Sequence, residues 1–188
     1  MFMKTKVFAI FLIFAFSFSN LFAEDIPIVV IAPSKKAQSI STVGSTTTVF
    51  DESYLENTNS FFLGDVLGTN TTSYNFFQSG GHGTESAIQL RGMPKRYSTV
   101  YIDGVKMSDP SSVSNDFDFN NILTSQISRV EILKGNQSSV YGSGAIGGTI
   151  NITTKKGQEG FQKNFIYNTA SHGTHNLGAA FSGADENQ

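Results

Sequence analysis

Cysteine is absent from the 188 residues, which rules out a disulfide scaffold and any cysteine-based metal site. Charge is scarce too: charged residues make up 15% of the chain and the formal net charge is −2. Without a basic excess there is no electrostatic footprint for nucleic acid. No stretch reaches the roughly 18 consecutive apolar residues that a membrane-spanning helix needs. No grouping of nucleophile, acid and base offers a catalytic centre, so the chain is read as a non-enzyme. Stability must come from packing and hydrogen bonding, and function from binding.

What is present begins with an export signal. Lys4 and Lys6 precede the apolar run Val7 to Phe18, and Ser19-Asn-Leu-Phe-Ala23 precedes Glu24-Asp25. That layout is a secretory signal peptide over residues 1–23, and loss of its two lysines leaves a mildly acidic mature chain. The mature part is rich in Gly, Ser, Thr, Asn and Phe, a composition that favours sheets and turns.

Residues 24–39 read as a tail and linker. Ile26-Pro-Ile-Val-Val-Ile-Ala32 is apolar and β-prone, and Pro33 to Ser39 reads as a flexible connector. The apolar run is either the first strand of a domain or a segment that adds itself to another protein's sheet edge. Pro27 favours an edge or extended position. Ser45 to Phe50 is a strand, and Asp51 caps a short helix through Tyr54 and Leu55. A second helix is expected from Asn59 or Ser60, with Phe62, Leu63, Val66 and Leu67 on its apolar face and Gly68 at its end. Tyr74 to Phe77 leads into the glycine-rich loop Gln78 to Thr84, and Ala87 to Arg91 resumes a strand. Ser98 to Ile102 and Val105 to Met107, joined by Asp103-Gly104, form a tight hairpin.

The most informative stretch is Arg129 to Lys155. Val130 to Leu133 and Thr149 to Thr154 are strand-like, and between them lie the polar loop Gly135 to Ser139 and Gly142-x-Gly144-x-x-Gly147. This matches the glycine pattern of dinucleotide sites. Such a site needs a strand running straight into the glycines and a helix leaving them, and neither is expected here. The glycines therefore read as close backbone packing, with a nucleotide-dependent enzyme as a minor rival. Asp116-x-Asp118-x-Asn120 imitates the start of a calcium loop but lacks the later glycine and glutamate, so no metal is assigned. Beyond Gly157, two runs of alternating apolar and polar residues flank Ser171-His-Gly-Thr174. They suit a membrane β-barrel hairpin or an ordinary half-buried one.

Several motifs in fixed order then carry a resemblance: Ile26 to Ala32, Gln78-Ser-Gly-Gly-His-Gly, Leu90-Arg-Gly92, Val100-Tyr-Ile-Asp-Gly104, Arg129 to Gly135, Ser139 to Gly148, and Ile150-Asn-Ile-Thr153. Together they resemble the N-terminal part of a TonB-dependent outer-membrane receptor, closest to the vitamin B12 receptor branch. The resemblance implies an α+β plug domain over residues 40–157, with a small mixed sheet and short helices. Residues 158–188 would begin the wall of a barrel of about 22 strands. What remains after Gly160 suffices for one hairpin, so the chain is expected to be a fragment or a truncated product. A secreted adhesive β protein is the rival from another class.

Further expectations rest on the resemblance alone. Ile26, Pro27, Ile28, Val29, Val30, Ile31 and Ala32 would bind TonB, which an inner-membrane complex energises. Outward loops carrying Gln78, Ser79, His82, Thr84, Met107, Ser108 and Asp109 would bind a nutrient such as cobalamin or a ferric siderophore. Arg91 and Lys134 would pair with acidic groups on the barrel wall. Lysine at 134 replaces the family's usual arginine and lacks its two-pronged grip. Leu67-Gly-Thr-Asn-Thr-Thr72 stands where the family usually has Leu-Pro-Gly-Val, leaving a less rigid exit from the second helix. No cofactor and no metal are implied, and the location is the bacterial outer membrane.

Overall fold

A computed structural model describes residues 29–30, 36–58, 60–69, 74–81, 83–112, 117–119, 121–157 and 160–184. Its centre is a five-stranded mixed sheet of β3 (Thr46–Phe50), β8 (Ile127–Lys134), β9 (Gly148–Thr154), β6 (Ser98–Ile102) and β7 (Val105–Met107), in that spatial order. Only the β6–β9 pair is parallel. A mixed sheet with short helices is the α+β arrangement expected.

The sheet's apolar face forms because β-branched residues alternate along its strands. Val130, Ile132, Ile150, Ile152 and Val100 point to one side, where α1 (Glu52–Asn57) and α2 (Leu63–Thr69) cover them with Leu55, Leu63, Val66 and Leu67. Burying each such side chain stabilises the fold by about 1.5–3 kcal/mol. As expected, Asp51 caps α1, its carboxylate accepting from Tyr54 N at 2.8 Å.

α2 begins at Leu63, later than the periodicity suggests. Leu63 N donates to Ile122 O at 2.8 Å and Thr124 N donates to Phe61 O at 3.0 Å, so Phe61 and Phe62 are extended against residues 122–124. That tertiary pairing delays the helix. Gly68 does not end it either: α2 runs one residue further, where Thr69 Oγ1 donates to Val66 O and Tyr74 Oη donates to Leu67 O. Side-chain hydroxyls thus satisfy carbonyls that a glycine cap would otherwise serve.

Other boundaries shift for similar reasons. β4 (Asn75–Gln78) and β5 (Ser86–Gln89) make a separate hairpin, which takes in Gln78 and stops short of Arg91. The loop assigned to residues 135–139 contains the start of one helical turn, α3 (Ser138–Tyr141), which Gly142 closes at φ 87°. The Asp103-Gly104 turn is as expected, with φ of 48° and 83° at its two residues. It also clamps the end of β9, because the Asp103 carboxylate accepts from Thr154 N and Thr154 Oγ1 at 2.9 and 2.6 Å. Immediately beyond, Lys155 bridges Glu52 and Glu56 of α1 at 2.9 and 2.6 Å.

β10 (Gly160–Ala170) and β11 (Thr174–Ala184) form a long antiparallel hairpin. Phe161, Phe165, Tyr167, Leu177 and Phe181 share one face and are all exposed. On the other face, Asn164, Ile166 and Asn168 look across a cleft of about 320 Å³ at Leu55, Ser60 and Thr124.

Candidate functional site

The expected site residues fall in three places, each built by a different part of the fold. At the N-terminal tail, β1 (Val29–Val30) pairs antiparallel with β2 (Gln38–Ser39), and Val30 is fully buried. The expected connector therefore ends in a strand. Ile26, Pro27, Ile28, Ile31 and Ala32 lie outside the described residues, as does the signal segment.

One serine ties the loop expected to face outward after β4 to residues 118 and 119. Ser86, at the start of β5, donates its hydroxyl to Asp118 Oδ1 and accepts from Phe119 N at 2.9 Å. This joins the β4–β5 tip to the segment following β7. Gln78 lies opposite Ser86 in the ladder, and Ser79 N donates to Glu85 O at 3.0 Å. Thr84 is turned inward on its own loop, its hydroxyl donating to Gly81 O at 2.8 Å. Met107 is the last residue of β7 rather than a loop residue, paired with Val100. Ser108 and Asp109 are exposed. The Asp109 carboxylate accepts from Ser111 Oγ at 2.6 Å and Ser111 N at 2.8 Å, and those two bonds hold its pKa below the usual carboxylate value. Asp109 thus shapes its own turn while remaining open to solvent. His82, Asp116 and Asn120 lie outside the described residues.

Arg91 and Lys134 meet at one end of the sheet. Arg91 sits in a left-handed conformation with φ 53°, and its Nη1 lies 3.0 Å from where a Cβ on Gly135 would be. Lys134 is buried, and that burial, followed by the neighbouring Arg91 charge, pushes its pKa down. Among the described residues neither cation has an acidic partner. Two adjacent cations of this kind suit an anionic group supplied from outside the domain.

The glycine cassette lies beside them. A Cβ on Gly147 would stand 3.2 Å from Tyr97 O, and one on Gly148 only 2.1 Å from Leu133 O. At these two glycines the chain's own backbone fills the space beside the cassette. β9 begins at Gly148 with no helix after the glycines, so the dinucleotide geometry is not formed.

Two features escaped the sequence reading. Tyr101, Tyr141 and Asn151 make a polar-aromatic cluster on the sheet's other face, with ring centroids 4.9 Å apart and Asn151 Nδ2 donating to Tyr141 Oη at 2.9 Å. Beside it a cleft of about 600 Å³ opens between Tyr101, Asp103, Glu131 and Lys156. Buried Glu131 is ion-paired with Arg129, its Oε1 2.7 Å from Arg129 Nε. The second feature is Gln137, whose amide reaches Ser45. Alternation marks which sheet face a residue takes, but it carries no signal for a bond across 92 positions.

Residues 39–149 match the family model of the TonB-dependent receptor plug domain. The chain belongs to that family. It is 33% identical over 126 residues to the vitamin B12 transporter BtuB of Vibrio vulnificus (strain CMCP6), an alignment covering 67% of this chain and 20% of that relative. The plug fold also matches the ferripyoverdine receptor of the outer membrane of Pseudomonas aeruginosa, with TM-score 0.67 and 19% identity over 87% of this chain and 22% of the receptor. A third match is the ferric yersiniabactin uptake receptor FyuA of Yersinia pestis, with TM-score 0.60 and 24% identity over 78% of this chain and 23% of that one. These two structural likenesses concern the fold. The chain thus spans about a fifth of the length of the curated relative it matches.

Proposed function

We propose that this chain supplies the gating plug and first wall hairpin of an outer-membrane receptor that takes up a scarce nutrient with energy delivered by TonB. Transport of vitamin B12 and reception of ferripyoverdine among its relatives favour cobalamin or a ferric siderophore as cargo. The chain's part is binding and gating, with no catalytic step. Residues 1–23 would direct export, and Arg91 with Lys134 would hold the plug to acidic groups on the wall.

The observation that carries this reading is the tail. Val29 and Val30 already have strand conformation and, among the described residues, pair with β2 at two positions. Each backbone hydrogen bond contributes about 1 kcal/mol net, so a partner that pairs along all of Ile26 to Ala32 would outcompete the two-residue pairing of Val29 and Val30 with β2. Ligand on the loops joined at Ser86 would favour the released tail, TonB would take it as an added strand, and force along it would loosen the plug.

Replacing Val29 with proline removes one donor and fixes φ. Calorimetry with the periplasmic domain of TonB should show binding at least about tenfold weaker for Val29→Pro, equivalent to about 1.4 kcal/mol. Binding equal to that of the unaltered chain contradicts strand addition.

A further inference from the structure

We infer that Gln137 is a positioning residue that clasps the root of the N-terminal tail to the glycine cassette. Gln137 Nε2 donates to Ser45 Oγ at 2.8 Å. Ser45 immediately precedes β3, so everything N-terminal to it joins the sheet through this point. Among the described residues β3 is an edge strand paired only with β8, and its first pair is Thr46 with Lys134. A pull on the tail arrives there first.

The clasp is mounted on fixed backbone. Gln137 N donates to Ala145 O at 2.8 Å, and Gln137 O accepts from Val140 N and Tyr141 N at 3.1 and 2.9 Å. The residue is 7% exposed, so the side chain leaves an ordered site with little freedom to reach elsewhere. On the other partner's side, Gly44 is exposed and a Cβ there would meet nothing within 4 Å. The glutamine bond and the first ladder pair are thus two restraints that act at the root itself.

Position gives the clasp its meaning. Two residues before Gln137, Gly135 carries the Arg91 guanidinium, and Arg91 follows β5, whose far end begins at Ser86 between the two outward loops. The cassette is thus where the strand from the loops and the root of the tail meet. That this restraint matters for a periplasmic partner rests on the function proposed above; the clasp itself does not.

The test uses the full chain with Gln137→Ala, Ser45→Ala, both together, and Gln137→Glu, whose carboxylate can accept from the Ser45 hydroxyl. Hydrogen exchange of the β3 amides should quicken about fivefold in either single variant, as expected for losing one hydrogen bond. The double variant should exchange no faster than the singles, Gln137→Glu should restore most of the protection, and β6 and β9 should be unchanged. A nitroxide on Ala37→Cys should gain mobility in the same variants. Unaltered β3 exchange, fully additive single effects or an unmoved nitroxide would overturn the clasp. If the unaltered chain fails to bind TonB, the functional reading falls while exchange and mobility still decide the clasp.

Discussion

Strands β8 and β9 carry apolar residues at alternate positions, and so do β10 and β11, yet the two pairs turn them to opposite surroundings. Val130 and Ile150 are 0% exposed, whereas Phe161 and Leu177 are 67% and 78% exposed. In the sheet domain the apolar side meets helices and the polar side meets water or the glycine cassette. In the hairpin the polar side faces the domain and the aromatic side faces outward. Period alone states which residues share a face; the surroundings decide what that face is for.

The comparison is broken most severely where the sheet domain is most crowded. Gly148→Ala places a methyl 2.1 Å from Leu133 O and 2.5 Å from Leu90 Cδ1, so backbone must move. Urea unfolding should show a loss of at least about 3 kcal/mol, or no folded domain at all. A loss below 1 kcal/mol, on the order of an ordinary surface change, would mean that the sheet tolerates a register shift there.

Next comes a matched truncation. Ile150→Ala should cost about 2–5 kcal/mol through lost burial and the cavity left behind. Leu177→Ala, removing a similar volume from the exposed face, should leave the domain's unfolding within about 0.5 kcal/mol. Equal losses in urea would show that the hairpin's aromatic face is packed against the domain after all.

The smallest effect concerns the cover over the buried face. Hydrogen bonds from Tyr54 N and then Ser53 Oγ hold the Asp51 carboxyl below its ordinary value of 3.8. A depressed folded value adds stability above the unfolded pKa, and that contribution disappears as pH falls through the folded one. Asp51→Asn keeps a cap but loses the charge, so at neutral pH it should be less stable by about 0.3 kcal/mol after solvent screening. The gap between the two urea midpoints should close as pH drops below 3.8. A gap that persists or widens in acid contradicts the role of the charge.

Much of this architecture can be read from local patterns. The β6–β7 turn, the Asp51 cap and the terminal hairpin each depend on neighbouring residues, and each stands where the sequence places it. The start of α2 was displaced because residues 122–124 capture Phe61 and Phe62 from far along the chain. The tail's pairing with Gln38–Ser39 was hidden because a polar pair reads as linker. Among the site residues, the meeting of Arg91 with Lys134 follows from β8 ending beside the turn after β5, which no spacing reveals. Gln137 carries no signature at all, since an amide in a polar loop differs from its neighbours only by what it reaches.

The central claim is that the domain and the hairpin are built for opposite surroundings, one closed on itself and one exposing an aromatic face that, in the function proposed above, meets lipid. Fluorophores placed singly at positions 161 to 168 of protein reconstituted in vesicles of brominated phospholipid test it directly. Quenching should alternate, strong at Phe161, Phe165 and Tyr167 and weak at Asn164, Ile166 and Asn168, matching the two faces of β10. Uniform quenching, or the reverse alternation, would contradict the claim.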